Sequence, residues 1–249
     1  MKSPIQFECT MCGTCCRNRL IPLTVSESIQ WLKRGHRVAV LTEAFSEDQW
    51  VGTGEEYRHQ LQRSFEVKSN DRSVRVIVIL AADALTKCPN LEENNGCAIY
   101  ADRPHVCRIY PLEINPFIQM RPENKCCPPE AWSSGNVIYE NETPVDENDR
   151  LLIASSRSSD RRDASMKSRL SQSLGLNAAA WKGDGLMSWN LDPAEVLRAL
   201  LLDDSTDSSN SWAIYSQNEN LARELTQRGI LTSHKLPQNA HYYSLTSSQ

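Results

Sequence analysis

The chain begins with an unusually dense run of cysteines, Cys9-Thr-Met-Cys12-Gly-Thr-Cys15-Cys16. A packed core gives no reason for four thiols within eight residues, whereas a metal site does. Nine cysteines occur in all, every one within the first 127 residues: Cys9, Cys12, Cys15, Cys16, Cys88, Cys97, Cys107, Cys126 and Cys127. We therefore expect the N-terminal half to fold around bound metal, with all nine cysteines as candidate ligands.

The cellular compartment decides whether clustered thiols indicate disulfides or metal. The first eight residues lack the apolar stretch of a secretory signal, and no apolar run reaches transmembrane length, so we expect a cytoplasmic protein without membrane contact. Thiols stay reduced there, and an odd number of cysteines leaves one unpaired, which favours metal over disulfides. The net charge of -4 argues against nucleic-acid binding, and leaves an unidentified protein as the expected partner.

The metal is predicted from the ligand chemistry. Thiolates select zinc or iron–sulfur centres, and the C-x2-C-x2-C spacing fits ferredoxin loops as well as zinc knuckles. Adjacent residues tend to point their side chains apart, so neither Cys15 with Cys16 nor Cys126 with Cys127 is expected to serve one tetrahedral ion. This argument favours an iron–sulfur cluster over zinc as the cofactor. One four-cysteine site and two such sites both remain open.

Other side chains near the cysteines are candidates for supporting roles. His105 lies two residues before Cys107 and is a candidate mixed ligand, although a surface loop histidine explains it as simply. Arg17, Arg103 and Arg108 flank cysteines, where arginines can neutralise thiolate charge and donate hydrogen bonds to sulfur. Their alternative explanation is an ordinary surface position.

The rest of the pattern predicts an α+β fold. We expect a small, irregular, metal-stapled cysteine-rich module with a β-hairpin and short helices, followed by a mainly helical C-terminal part. A capping box at 24–27 opens a helix that stops at Gly35, a strand is expected at 38–41, a helix at 55–63, and a hairpin at 65–68 and 73–80. Seven of the twelve prolines lie between residues 88 and 132, which predicts irregular structure there.

The C-terminal elements are predicted from caps and periodicity. Residues 135–139 indicate an edge strand, residues 147–173 have helical composition, and Asp192 with Pro193 opens a further helix. Residues 203–211 are typical of a linker, and Ser211 is predicted to cap a last helix that ends at Gly229. The predicted domains are a metal-binding domain at 1–132, a helical region at 147–235 and a flexible tail at 236–249.

Several fixed-spacing blocks occur in order: the run from Cys9 to Cys16, Cys88-Pro-x-Leu91, Cys97-x-Ile-Tyr100, Arg103-Pro104-x-x-Cys107-Arg108-x-Tyr-Pro111, and Cys126. This pattern, over residues 7–130, resembles the YkgJ-like cysteine-cluster family, described as zinc- or iron-chelating. The resemblance implies eight metal ligands: Cys9, Cys12, Cys15, Cys16, Cys88, Cys97, Cys107 and Cys126. Cys127 would then be the extra thiol, or would exchange roles with Cys126.

The clustered thiols and the resemblance together leave two functions to consider. The first is a metal-binding protein with an iron–sulfur cluster or zinc, in a structural, redox or sensing role. The alternative is a metal-dependent protein-modifying enzyme, because one branch of the family is similar to flagellin lysine-N-methylase, which uses S-adenosylmethionine. The sequence contains no G-x-G-x-x-G and no P-loop, and it indicates no catalytic residue.

Overall fold

The computed structural model describes residues 3–202 and 211–245. The strands are β1 (Ile5–Phe7), β2 (Arg17–Leu23), β3 (Val38–Phe45), β4 (Phe65–Ser69), β5 (Arg72–Lys87), β6 (Asn136–Glu140), β7 (Thr143–Pro144), β8 (Ala178–Trp181), β9 (Gly185–Trp189), β10 (Ala213–Tyr215), β11 (Thr232–Ser233) and β12 (Ala240–Ser244). The α-helices are α1 (Val25–Lys33), α2 (Gly54–Gln62), α3 (His105–Ile109), α4 (Glu147–Arg162), α5 (Ala164–Ser173), α6 (Pro193–Leu201) and α7 (Glu219–Gln227). None of the described helices is both long and apolar enough to span a membrane.

The chain divides into two compact units, neither of them continuous in sequence. The cysteine unit comprises Met1–Leu23 and Ala82–Ser159, and it contains all nine cysteines. The sheet unit comprises Thr24–Ala81 and Asp160–Gln249. These boundaries differ from the predicted domains at 1–132 and 147–235, because strand pairing groups residues 24–81 with the C-terminal strands rather than with their neighbours along the chain.

The sheet unit is built on a mixed β-sheet. Its strand order runs β11, β10, β8, β3, β5, with β4 paired to β5 and with β9 paired to both β3 and β12. The pairs β10–β11, β8–β10 and β3–β8 are parallel, whereas β4–β5, β3–β9 and β9–β12 are antiparallel. The predicted hairpin is confirmed, and Ile77, Val78 and Leu80 of β5 are fully buried, as the apolar run near Ile77 predicts.

The helix caps of the sheet unit follow the sequence signals. A capping box joins Thr24 and Glu27 at the start of α1, and Gly35 follows its end with a φ of 81°. The predicted helix at 55–63 is α2, and Asp192 caps α6 by accepting from the Ala194 amide. Local cap chemistry therefore decides where these helices begin.

The cysteine unit has a small sheet and its own apolar cluster. β6 lies between β1 and β7, so the strand predicted as an edge is central in a three-stranded sheet. Ile109, Leu112 and Met120 are buried with Ile153, which gives the proline-rich segment a packed core in addition to its cysteines. As the proline pattern predicts, the described structure between β5 and β6 is mostly turns, with α3 as its α-helix.

The mainly helical C-terminal part is not confirmed as predicted, because β8 to β12 all follow residue 147. Ser211 does not cap a helix: β10 follows it, and Asn218 caps α7 instead, accepting from the amides of Asn220 and Leu221. β12 occupies part of the predicted flexible tail and pairs with β9. Most of the predicted linker, at 203–210, and residues 246–249 lie outside the described residues.

Candidate metal centre

The N-terminal cysteine loop turns at Gly13. Its φ of 70° lies in the left-handed region that glycine adopts without steric cost, and a Cβ there would stand 3.0 Å from the Asn95 side-chain oxygen. Thr14–Cys16 then forms a short 3-10 turn, closed by the Cys16 amide donating to the Gly13 carbonyl at 3.0 Å. The turn places the sulfurs of Cys15 and Cys16 4.0 Å apart.

The prediction that adjacent cysteines diverge is wrong for Cys15 and Cys16, and Cys126 and Cys127 share one polar neighbour. Cys15 and Cys16 converge to 4.0 Å between their sulfurs. The sulfurs of Cys126 and Cys127 lie 3.1 Å and 3.5 Å from the same atom, the Tyr110 hydroxyl oxygen. Side chains alternate strictly only along an extended strand, and a tight turn can direct two successive side chains to one side.

Backbone hydrogen bonds bring the next two cysteines towards the N-terminal loop. The Cys88 amide donates to the Cys16 carbonyl at 2.8 Å, which ties the end of β5 to the start of β2. An isolated β-bridge between Leu91 and Cys97 returns the following loop to Cys88. Cys16, Cys88 and Cys97 are therefore positioned by main-chain contacts that do not require metal.

Cys107 enters the same region from α3. Burial, together with the neighbouring Cys88, Cys15 and Cys97, raises the pKa of its thiol to about 12, and the charge of Arg103 opposes this rise. A thiol in such surroundings resists ionisation unless a cation stabilises the thiolate. A metal ion would supply such a cation.

Electrostatic contacts link the thiols into one neighbourhood. Cys16 interacts with Cys88, Cys97 and Cys107, and Cys127 interacts with Cys126, Cys15 and Cys12. The cysteines joined in this way are Cys12, Cys15, Cys16, Cys88, Cys97, Cys107, Cys126 and Cys127. Cys9 is exposed at the start of the loop.

The described thiols lie near one another, but they do not form a complete set of ligands around one point. Within residues 3–202 and 211–245, no three Cys, His, Asp or Glu side chains converge closely enough to hold an ion as they stand. Metal binding by these thiols would therefore require their sulfurs to move closer together.

One buried polar atom in this region fits a metal–thiolate centre, because it is a donor without an acceptor. Asn90 is only 8% exposed, and its side-chain Nδ2 has no hydrogen-bond partner among the described residues. Burial raises the pKa of the Cys88 thiol, and the nearby backbone and side-chain N–H groups of Asn90 oppose that shift. A thiolate at Cys88 is the acceptor that the orphaned amide lacks.

The predicted supporting residues occupy different surroundings. Arg103 lies over the Tyr100 ring at 3.7 Å and faces Cys107, and Arg17 donates to the Asn95 side chain at 3.2 Å. Arg108 is exposed. His105 is half-buried at the first position of α3, and its role as a ligand stays a prediction.

Sequence reasoning missed Asn90 and Tyr110 as parts of this region. Asn90 follows the Cys88-Pro89 step directly, and Tyr110 lies three residues after Cys107, so both stood inside the recognised blocks. Arg19, whose charge lowers the pKa of Cys15 against several raising effects, was also missed. Proximity to a cysteine in sequence was the available signal for all three.

Comparison with protein families matches residues 8–128 to the model CxxCxxCC, described as a "putative zinc- or iron-chelating domain". Comparison of the chain with curated proteins and with solved structures returns no match in either set. The family match concerns chelation alone, and the enzymatic alternative stays a prediction.

Proposed function

Because residues 8–128 belong to the CxxCxxCC family, we propose that this chain binds zinc or iron through clustered cysteine thiolates, in a structural, redox or sensing role. The observation that carries the proposal is the gathering of eight thiols from five separate stretches of the cysteine unit. Thiolate donors select zinc and iron–sulfur centres over magnesium, calcium and manganese.

The neighbouring thiols favour two ligand sets. The first set interacts mutually and consists of Cys16, Cys88, Cys97 and Cys107. The second set consists of Cys126 and Cys127, whose sulfurs both lie near the Tyr110 hydroxyl, and of Cys12, which interacts electrostatically with Cys127. Cys15 interacts with members of both sets, and its sulfur lies 4.0 Å from that of Cys16, so Cys15 can belong to either set. Cys9 lies three residues before Cys12 and can supply the fourth thiolate of the second set.

The converging sulfurs bear on the type of centre. Two thiolates on one zinc ion stand ~3.8 Å apart, given tetrahedral geometry and Zn–S bonds of ~2.3 Å. The distance of 4.0 Å between the sulfurs of Cys15 and Cys16 is close to this value. A four-iron cluster binds one thiolate per iron, so the spacing favours zinc or a two-iron cluster, and the earlier reason for preferring iron–sulfur over zinc no longer holds.

Bound metal would supply a multivalent cation that stabilises thiolates and cross-links the loops carrying them. The chain's own residues prepare the region in three ways. Gly13 allows the turn of the first loop, the Cys88–Cys16 hydrogen bond fixes two cysteines, and Arg103 offsets negative charge near Cys107.

The test is metal content after purification without oxygen. Wild-type protein is expected to carry zinc or iron, and Cys16→Ser to lose at least half of it. Met11→Ser is the matched control, because Met11 lies in the same loop, is 58% exposed and offers no thiolate. Equal metal content in Cys16→Ser and wild type would contradict the proposal.

A further inference from the structure

The Asn90 side chain is a buried hydrogen-bond donor without an ordinary acceptor. It is 8% exposed, and its Nδ2 has no hydrogen-bond partner in the described part of the chain. A buried donor left unsatisfied destabilises a fold, so such groups are uncommon. This unsatisfied donor lies two residues after Cys88, and a strongly accepting sulfur at Cys88 would satisfy it.

Backbone hydrogen bonds hold Asn90 in a turn next to Cys88. The Leu91 amide donates to the Cys88 carbonyl at 3.0 Å, which closes a turn with Pro89 and Asn90 at its centre. The Ala98 amide donates to the Asn90 carbonyl at 2.9 Å and holds Asn90 from its other side. Asn90 thereby lies beside Cys88, and its backbone and side-chain N–H groups are near enough to the sulfur to oppose the rise of the thiol pKa that burial causes.

A neutral thiol is a weak acceptor, whereas a metal-bound thiolate accepts hydrogen bonds readily. Such bonds orient the sulfur and withdraw charge from it, which tunes a metal centre. Cys88 is buried, so water has poor access to its sulfur and is poorly placed to donate these hydrogen bonds.

We propose that Asn90 is a positioning residue for the metal centre: its buried amide donates to the Cys88 sulfur when that sulfur binds metal, and it thereby holds Cys88 in the ligand set. This inference rests on the proposed function and deepens it. It assigns to Asn90 a role towards the metal rather than towards the fold of the loop.

The test uses the full chain loaded with Co²⁺, whose bonds to thiolate give a sulfur-to-metal absorption band. Asn90→Asp replaces the amide donor by an acceptor, and Asn90→Leu removes the side-chain donor without adding charge. Asn94→Asp is the matched control, because Asn94 is exposed in the same loop and uses only its side-chain oxygen, which accepts from the Gly96 amide at 2.7 Å. Aspartate keeps that acceptor and adds the same charge.

We expect both Asn90 variants to release Co²⁺ to a competing chelator ~10–100 times more readily than wild type, as is usual when a supporting hydrogen bond to a ligand is lost. The amount of bound Co²⁺ per chain at saturation should be unchanged, the sulfur-to-metal band should move to longer wavelength, and Asn94→Asp should match wild type. The band position separates this role from a structural one, since a change in loop stability alone would not move it.

Two results would overturn the inference in different ways. If Asn90→Leu binds Co²⁺ as tightly as wild type with an unmoved band, Asn90 has no role towards the metal and the proposed function survives. If wild-type protein binds no Co²⁺, the proposed function and this inference fall together.

Discussion

The hydroxyl oxygen of Tyr110 lies 3.1 Å from both the sulfur and the backbone nitrogen of Cys126. The Cys127 sulfur is a third neighbour, at 3.5 Å from the same oxygen. Burial raises the pKa of the Tyr110 phenol, and its hydrogen bonds to the two sulfurs raise it further, so the hydroxyl keeps its proton near neutral pH. One protonated hydroxyl therefore fixes the turn that carries both cysteines.

Tyr110→Phe removes this hydroxyl and keeps the ring. The Cys126 amide loses its acceptor, so we expect the free energy of unfolding of the metal-free protein to fall by about 1–2 kcal/mol. Denaturant unfolding in the presence of a chelator measures this. Tyr100→Phe is the control, because Tyr100 is 62% exposed. Equal unfolding midpoints for the two variants would contradict the structural role of the Tyr110 hydroxyl.

Gly135→Ala tests the small sheet of the cysteine unit. Gly135 has a φ of 93°, and a Cβ there would lie 2.5 Å from the Phe7 carbonyl oxygen of β1. Strain and this clash with backbone should lower the free energy of unfolding by at least ~2 kcal/mol. Thermal unfolding of full-length protein measures the effect.

Gly54→Ala is the matched control for this substitution. Gly54 is the first residue of α2, and a Cβ there meets no atom within 4 Å. Alanine at that position should leave stability unchanged or raise it by up to ~1 kcal/mol. A Gly135→Ala protein as stable as Gly54→Ala would show that β1 can move away without cost.

Asp160 joins two cations in the sheet unit. Its carboxylate lies 2.7 Å from the Lys167 Nζ and 2.6 Å from the Arg63 Nε, and the Lys167 side chain is 4% exposed. Burial alone would raise the pKa of Asp160, but Lys167 and Arg63 outweigh it and lower the pKa. The carboxylate therefore stabilises the fold above the pKa of an unfolded aspartate, ~3.9, and this contribution is lost as the pH falls below that value.

Asp160→Asn should destabilise the protein by about 3 kcal/mol at pH 7, because Lys167 is left buried without its carboxylate. The difference from wild type should shrink as the pH falls through ~4 towards 2. Urea unfolding between pH 2.5 and pH 7 measures this, with Asp71→Asn in the exposed β4–β5 turn as the control. A constant difference across that range would contradict the account of the ion pair.

Local signals predicted the elements that local interactions form. The capping box of Thr24, the turn between β4 and β5, and the Asp192 cap each act within a few residues, so the sequence displays them directly. β8 was missed because Ala178–Trp181 lacks both alternation and strong β-propensity, and it is a strand only because β3 and β10 pair with it.

The candidate site was predicted by composition and corrected by geometry. The cysteine spacing indicated metal without any structure. It could not show that Cys15 and Cys16 converge, since that depends on the 3-10 turn after Gly13. The role of Tyr110 depends on its contacts with Cys126 and Cys127, which lie 16 and 17 positions further along the chain. No sequence pattern operates over such a separation.

The measurement that tests the central claim most directly is metal and acid-labile sulfide analysis, with an absorbance spectrum, on wild-type protein and Cys16→Ser purified without oxygen. We predict bound zinc without colour, or iron with sulfide and visible absorbance, in wild type, and a loss of at least half of it in Cys16→Ser. Wild-type protein that carries neither metal, with its thiols paired as disulfides, would contradict the account.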